Sequence, residues 1–164
     1  MTKKGKLALG LVLVLCVVLA VYALVPRSLT YASGIDPAQT ERLDVYLLGI
    51  REDDSYHMTL TPEDPVFEEL WEKLDSKGYV PMVSENIPEA FHLPRGCHGT
   101  DLNYDVHLVF MQRDLEPGPH LINMDGWEGI YLNRWTYRTS GSLAFQQAVL
   151  DLLLEQELEE MPKA

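Results

Sequence analysis

Basic residues and cysteines are both scarce in this chain. Only 13 of the 164 residues are Lys or Arg, against 25 Asp or Glu, which gives a net charge of −12. Proteins that bind nucleic acids gain much of their affinity from Lys and Arg, so this charge argues against a nucleic-acid partner. Two cysteines are too few for a disulfide-rich mini-protein, and a hydrophobic fraction of 46% excludes a disordered polymer.

The short motifs that identify common enzyme classes are also absent from the sequence. There is no glycine-rich phosphate loop, no Gly-x-Ser-x-Gly elbow and no dinucleotide-binding fingerprint. There is neither a Cys-x-x-Cys pair nor a His-Glu-x-x-His motif, two common metal-binding signatures. These absences favour a protein that has no catalytic activity and needs no cofactor.

One long apolar run dominates the N-terminal region. Residues 7–25 are 19 consecutive uncharged residues, and three lysines precede them. As a helix rising about 1.5 Å per residue, this run would cover about 29 Å, close to the roughly 30 Å hydrocarbon core of a bilayer. Positive charge is retained on the cytoplasmic side, so we expect residues 1–27 to form a cytoplasmic basic stub and a single-pass signal-anchor in the cell membrane, with the rest of the chain extracytoplasmic.

The apolar run has three other interpretations. A cleaved signal peptide has a shorter apolar core of about 7–15 residues, although Thr30 and Ala32 are small enough for cleavage after Ala32, which would release a secreted protein. A lipoprotein signal is disfavoured because Leu15 precedes Cys16 and apolar residues follow it. A buried helix of a cytosolic protein is disfavoured because the run has no polar face.

Charge divides the chain into two parts. Residues 1–27 hold four basic side chains and no acidic one, so the remainder carries 9 basic and 25 acidic side chains, a net charge of −16. An acidic domain repels anionic polymers and lipid headgroups, so we expect a protein or envelope partner that is basic or neutral. Residues 28–42 are polar and interrupted by Pro and Gly, which predicts a tether. Residues 43–160 are predicted to form the extracytoplasmic domain.

Hydrophobic periodicity predicts an α+β fold, with a small antiparallel sheet and two helices packed on one face of it. Residues 84–100 show no regular pattern, and the acidic residues 155–160 are expected to fray because they oppose the helix dipole. Asp125-Gly126 is a favoured pair for a tight hairpin turn. The first predicted helix carries its apolar residues at 66–74, with Thr61 or Asp64 as its cap and Gly78 as its end. The second begins at Ser140 or Ser142 and carries apolar residues as far as Leu154. The predicted strands cover residues 43–49, 56–60, 79–83, 102–110, 120–124, 127–132 and 135–138.

The order of an N-terminal apolar span, a short polar segment and an α+β domain resembles a known layout. It is similar to that of the small membrane-anchored extracytoplasmic domain proteins of Gram-positive bacteria, many of which have unknown function. The resemblance implies a place in the bacterial envelope. It is one of layout only, so it transfers no functional residue to this sequence.

Four aromatic residues suggest a binding surface. Trp127, Tyr131, Trp135 and Tyr137 occupy odd positions, so on one continuous strand their rings would line a single face and form a platform for a sugar or a peptide. A turn at residues 133–134 would separate them. Large aromatic rings on a sheet face that is covered by helices usually belong to the core, so both interpretations stay open.

A second group of candidates surrounds Cys97, the only thiol outside the apolar run. Imidazole and thiolate groups bind zinc or copper, and a Cys with a His and an Asp can form a nucleophile, its base and an orienting acid. No recognised spacing supports either use, so an idle cysteine among solvated histidines is the simpler hypothesis. The candidate metal ligands are His92, Cys97, His98 and His107.

The sequence therefore predicts a membrane-anchored extracytoplasmic binding domain without catalytic activity, whose ligand it does not identify. The alternative is an envelope metal-binding protein or thiol-dependent enzyme that uses Cys97 and the nearby histidines. A third hypothesis is a small subunit whose apolar helix is itself the interaction surface.

Overall fold

A computed structural model of the chain describes residues 3–49, 55–90, 104–113 and 118–161. An N-terminal apolar helix precedes an antiparallel sheet and several further helices, which confirms the predicted α+β fold. The helices are α1 (Lys3–Leu24), α2 (Leu29–Ser33), α3 (Pro65–Asp75), α4 (Val83–Ala90) and α5 (Ser142–Leu154). The strands are β1 (Thr40–Leu48), β2 (Ser55–Leu60), β3 (Val80–Pro81), β4 (Asp105–Gln112), β5 (His120–Met124), β6 (Ile130–Leu132), β7 (Trp135–Arg138) and β8 (Glu159–Glu160).

The eight strands form one sheet in the order β3-β7-β6-β5-β4-β1-β2-β8. Alternate residues of the central strands β1 and β4, such as Val45 and Leu108, are buried on one face of the sheet. Leu70 of α3 and Leu153 of α5 belong to the same core cluster, so these two helices cover that face as the periodicity predicts. The intervening residues of both strands are only half-buried, which leaves the opposite face partly open.

Residues 28–42 are part of the folded domain in the structure, in contrast to the tether that their composition predicts. Leu29 and Ile35 have no exposed surface and belong to the core. The side chain of Ser28 caps α2, and β1 already begins at Thr40. The prediction differs because composition averages over a polar segment and conceals the two apolar side chains that fix it to the sheet.

The connection between α1 and the domain is short and is held by backbone hydrogen bonds. Arg27 forms an antiparallel bridge with Tyr79, with N–H···O distances of 3.0 and 2.9 Å. Gly78 provides room for Pro26, because a Cβ at this glycine would lie 2.7 Å from the proline Cβ. The domain therefore begins within three residues of Leu24, where α1 ends.

Two segments that were expected to be irregular are ordered by partners far away in the sequence. Residues 83–90 form α4, and the Asn86 side chain accepts from the backbone N–H of Thr136 and donates to its carbonyl oxygen, which fixes α4 to β7. Glu159–Glu160 pairs with Tyr56 and His57 of β2 as an edge strand, so it does not fray.

The connection between β5 and β6 is also longer than the predicted two-residue turn. Ile122 pairs with Leu132, so residues 125–129 link the two strands. The buried side chain of Gln146 on α5 holds this connection: its Nε2 donates to the carbonyl oxygen of Trp127 over 2.6 Å, and its Oε1 accepts from the N–H of Gly126 over 3.2 Å. A buried amide in α5 thus stabilises a wider loop.

Candidate functional site

An apolar groove lies between the last turns of α1 and the sheet edge that β3 and β7 form. Its volume is about 530 Å³, which is within the range of small-molecule sites. None of its lining residues carries a charge, and we call it the helix–sheet groove. It is lined by Leu19, Ala20, Tyr22 and Ala23 of α1 and by Pro81, Val83, Asn86, Trp135 and Tyr137 of the domain.

The β6–β7 hairpin decides which of the predicted aromatic residues reach the groove. Asn133 adopts the left-handed conformation with φ of 57°, so the chain reverses and β7 pairs back on β6. Trp135 and Tyr137 lie on the sheet face that carries α3 and α5, and both line the groove. Tyr131 lies on the opposite face, and Trp127 is buried with its ring centroid 6.0 Å from that of Tyr131. The four rings thus form two pairs instead of one platform.

Arg27 lies beside the helix–sheet groove among tyrosine side chains. Its guanidinium carbon is 4.0 Å from the ring centroid of Tyr22 and 5.3 Å from that of Tyr31, and one Nη donates to the Tyr22 carbonyl oxygen over 3.3 Å. Burial raises the pKa of Tyr137, and the neighbouring Arg27 cation opposes that rise. Within the described ranges, no carboxylate forms a salt bridge with Arg27.

The exposed apolar side chains of the domain are gathered around the same groove. Beyond Val25, the large hydrophobic residues that are exposed in the described part of the chain are Tyr31, Val83 and Trp135. Val83 and Trp135 line the groove, and Tyr31 borders Arg27. Exposed hydrophobic residues usually occur singly on the surfaces of soluble proteins. Their clustering here forms a hydrophobic patch at the end of the domain next to α1.

The open face of the sheet carries a row of ring and amide side chains. Strand register places five half-buried residues side by side on the adjacent strands β2, β1, β4, β5 and β6. With about 4.8 Å between strands, the row is about 19 Å long. We call it the five-strand row, and its members are His57, Tyr46, His107, Asn123 and Tyr131.

Asn123 holds a buried polar atom in the middle of this row. Its side-chain Oδ1 is buried and has no hydrogen-bond partner among the residues that the structure describes. A buried acceptor without a partner costs about 1–3 kcal/mol, so a donor group from a bound molecule would stabilise this position.

The β2 end of the five-strand row is acidic. The ring centroids of His57 and Tyr46 are 4.8 Å apart, and the imidazole Nε2 of His57 is 3.9 Å from a carboxylate oxygen of Asp44. Asp44 is also paired with Arg42 at 3.1 Å, so the exposed carboxylates at this end are those of Glu159 and Glu160 in β8, which pairs with β2. These two carboxylates favour a cationic group at this end of the row.

The predicted metal or thiol site falls mostly where the structure gives no description. His92, Cys97 and His98 lie outside the described residues. His107 lies in the five-strand row, paired across strands with Tyr46 and Asn123. No group of three His, Cys, Asp or Glu side chains that could hold a metal occurs within the described ranges.

The sequence alone did not identify several residues of the five-strand row and of the helix–sheet groove. Tyr46, His57 and Asn123 occupy the polar positions of correctly predicted strands, so their alternation signalled a common face but not which residues are neighbours. Pro81 and Val83 carried no comparable signal, because their role depends on the packing of α1 against β3.

Comparisons with protein-family models, with curated proteins and with solved structures find no match for this chain. The functional argument therefore depends on the chemistry of the helix–sheet groove and the five-strand row.

Proposed function

We propose that this chain is a single-pass membrane protein whose α+β domain binds a protein or envelope component outside the cell without catalysing a reaction. The five-strand row is the proposed ligand surface. The buried, unpartnered Oδ1 of Asn123 in the middle of this row is the observation that carries the proposal.

The character of α1 supports the membrane part of the proposal. Within the described residues, Lys6–Leu24 is the helix long and apolar enough to cross a membrane, and none of its side chains is enclosed in the protein core. The lysines at its N-terminal end support a cytoplasmic N-terminus and therefore an extracytoplasmic domain.

The burial of residues after α1 favours an anchor over a cleaved signal peptide. Cleavage after Ala32 would separate the fully buried Leu29 from the core and would remove the bridge between Arg27 and Tyr79. A mature protein that begins at Ser33 would therefore lose part of its own domain.

The chemistry of the five-strand row supports a basic or neutral ligand. Tyr rings stack on the flat apolar faces of sugars and peptide groups, while imidazole and amide groups donate and accept hydrogen bonds. The carboxylates at the β2 end attract a cationic group and repel an anionic polymer, in agreement with the net charge of −16 over residues 28–164.

Site-specific photo-crosslinking in native membranes tests the ligand surface. A photoreactive amino acid at His107 of the full-length chain should give a crosslinked product of defined mass, and Asn123→Ala should reduce its yield. The same amino acid at Glu69, exposed on the solvent face of α3, is the matched control and should give no such product. Identical products from both positions, or a yield that Asn123→Ala leaves unchanged, would refute the proposal.

Epitope tags at the two ends of the chain test the topology. An antibody should reach the C-terminal tag on intact spheroplasts, and the N-terminal tag should remain on the same polypeptide. Loss of the N-terminal tag from the membrane-associated protein would instead support a cleaved signal peptide. A C-terminal tag that is reached only after permeabilisation would reverse the orientation.

A further inference from the structure

The position of the helix–sheet groove along α1 determines its depth in a bilayer. Lys6–Leu24 covers about 29 Å as a helix, which matches the hydrocarbon core. Leu19 lies five residues before Leu24, so the groove begins about 7.5 Å below the outer boundary of that core. Arg27, three residues beyond Leu24, then lies at the level of the lipid headgroups.

At this depth the material that fills an apolar groove is hydrocarbon. The wall that α1 contributes consists of Leu, Ala and Tyr side chains, and the opposite wall includes Pro81, Val83 and Trp135. An empty groove would leave these side chains without dispersion contacts on one side. An acyl chain of the surrounding leaflet supplies such contacts without bringing any polar group into the groove.

Arg27 provides the complementary polar contact. A guanidinium binds a phosphate through paired charge-assisted hydrogen bonds. Its side chain donates to the Tyr22 carbonyl oxygen and lies over the rings of Tyr22 and Tyr31. Within the described residues it forms no salt bridge, so its charge has no carboxylate partner there. Since none of the residues that line the groove is charged, the guanidinium of Arg27 beside it supplies a positive charge there.

The aromatic residues around the groove are of the kind that concentrates at membrane–water interfaces. Tyr22, Tyr31 and Trp135 are all exposed, and each lies beside the groove or beside Arg27. Tyr and Trp favour this layer because an apolar ring carries a polar tip. The end of the domain next to α1 is therefore suited to contact with the headgroup layer.

We infer that the helix–sheet groove holds an acyl chain of an outer-leaflet glycerophospholipid whose phosphate lies against Arg27. The inference rests on the membrane anchoring proposed above, because it requires α1 to lie in a bilayer. It assigns to the domain a bound lipid in addition to the ligand of the five-strand row.

Native mass spectrometry of the full-length chain, released from phosphatidylcholine–phosphatidylglycerol vesicles, tests the lipid. We expect a retained phospholipid on the wild-type protein. Ala20→Phe, which fills the groove, should abolish retention, whereas Val17→Phe is the matched control on a residue that does not line the groove and should preserve it. Arg27→Gln should weaken retention about tenfold, because it removes a charge-assisted hydrogen bond to phosphate.

Tryptophan quenching locates the acyl chain. Phosphatidylcholine brominated on its acyl chains should quench the fluorescence of the wild-type protein in vesicles, and Trp135→Phe should remove most of that quenching. Trp71 and Trp127 lie away from the groove and should contribute little. Quenching that persists undiminished in Trp135→Phe would contradict the placement.

Co-flotation with vesicles separates the two proposals. A wild-type protein that does not float refutes the anchor itself. A protein that floats but retains phospholipid equally in wild type and Ala20→Phe refutes the occupant of the groove and leaves the anchor intact. A wild-type dimer that Ala20→Phe converts to a monomer, with no phospholipid retained, would assign the groove to a second copy of the chain and would overturn the inference.

Discussion

Replacement of Leu29 by alanine tests whether residues 28–42 belong to the folded domain. Leu29 lies at the start of α2 and is completely buried in the core. A Leu→Ala change at such a site costs about 2–5 kcal/mol, because it removes apolar contacts and leaves a cavity. Since α2 has only five residues and can relax into the space, we expect a loss of about 2–3 kcal/mol in the free energy of unfolding.

The assay is thermal unfolding of the full-length chain in detergent micelles, followed by near-ultraviolet circular dichroism. For a domain of this size, 1 kcal/mol corresponds to about 3–5 °C in Tm, so Leu29→Ala should lower Tm by about 6–15 °C. Tyr31→Ala is the matched control, because Tyr31 lies in the same short helix but is 72% exposed. Its effect should stay within about 0.5 kcal/mol of wild type.

Equal stabilities of wild type, Leu29→Ala and Tyr31→Ala would refute this reasoning. They would mean that residues 28–42 act as a tether and that the core does not depend on the chain before β1. The argument against cleavage after Ala32 would then be lost as well, because it uses the same buried side chain.

Three further predictions concern polar groups of the domain. Gln146→Leu should lower the free energy of unfolding, measured in urea, by about 2–4 kcal/mol, because it removes buried hydrogen bonds to the 125–129 connection. The control Gln147→Leu loses only a surface contact and should lower the same free energy by less than about 0.5 kcal/mol. Similar losses in the two variants would refute the role of the buried amide. Asn133→Ala should lower the free energy of unfolding by about 1–2 kcal/mol more than Asn133→Gly, because the left-handed φ of 57° at this position is unfavourable for alanine but not for glycine. Equal losses in the two variants would mean that the side-chain hydrogen bonds of Asn133 are the sole cause. Burial raises the pKa of Tyr104 to about 12 in the folded protein, compared with about 10 in the unfolded chain. The contribution of this difference to the free energy of unfolding is therefore complete below pH about 10 and is lost as the pH rises toward 12. Tyr104→Phe should flatten this alkaline decline in stability, measured by urea unfolding at each pH, and an unchanged decline would exclude Tyr104 as its source.

The elements that could be predicted from the sequence are those that bury one face locally. Burial alternates from Leu43 to Leu48 in β1 and from Asp105 to Phe110 in β4, and α3 repeats its apolar residues at helical spacing. Each of these patterns indicates in the sequence itself which residues are buried. The sequences of residues 28–42 and 83–90 contain no such periodic pattern. Their order comes from distant partners: the Asn133 side chain donates to the Ser33 carbonyl oxygen, and Asn86 bonds the backbone of Thr136.

The candidate surfaces could be predicted only in part, for a related reason. Periodicity assigned alternate residues of each strand to a common face, but the order of strands and their register decide that His57, Tyr46 and His107 are neighbours. The helix–sheet groove combines residues as distant as Leu19 and Tyr137, which no local pattern connects. The metal or thiol site at His92, Cys97 and His98 stays a prediction.

The backbone bridge between Arg27 and Tyr79 leaves only Val25 and Pro26 between the end of α1 and the domain. Successive residues of a helix are rotated by about 100° and raised by about 1.5 Å, so one residue inserted in α1 would turn and lift the whole domain by those amounts. Under the membrane anchoring proposed above, the length of α1 sets the azimuth and height of the five-strand row above the membrane. A neighbour that packs against α1 within the bilayer would then also set the direction from which the proposed ligand approaches.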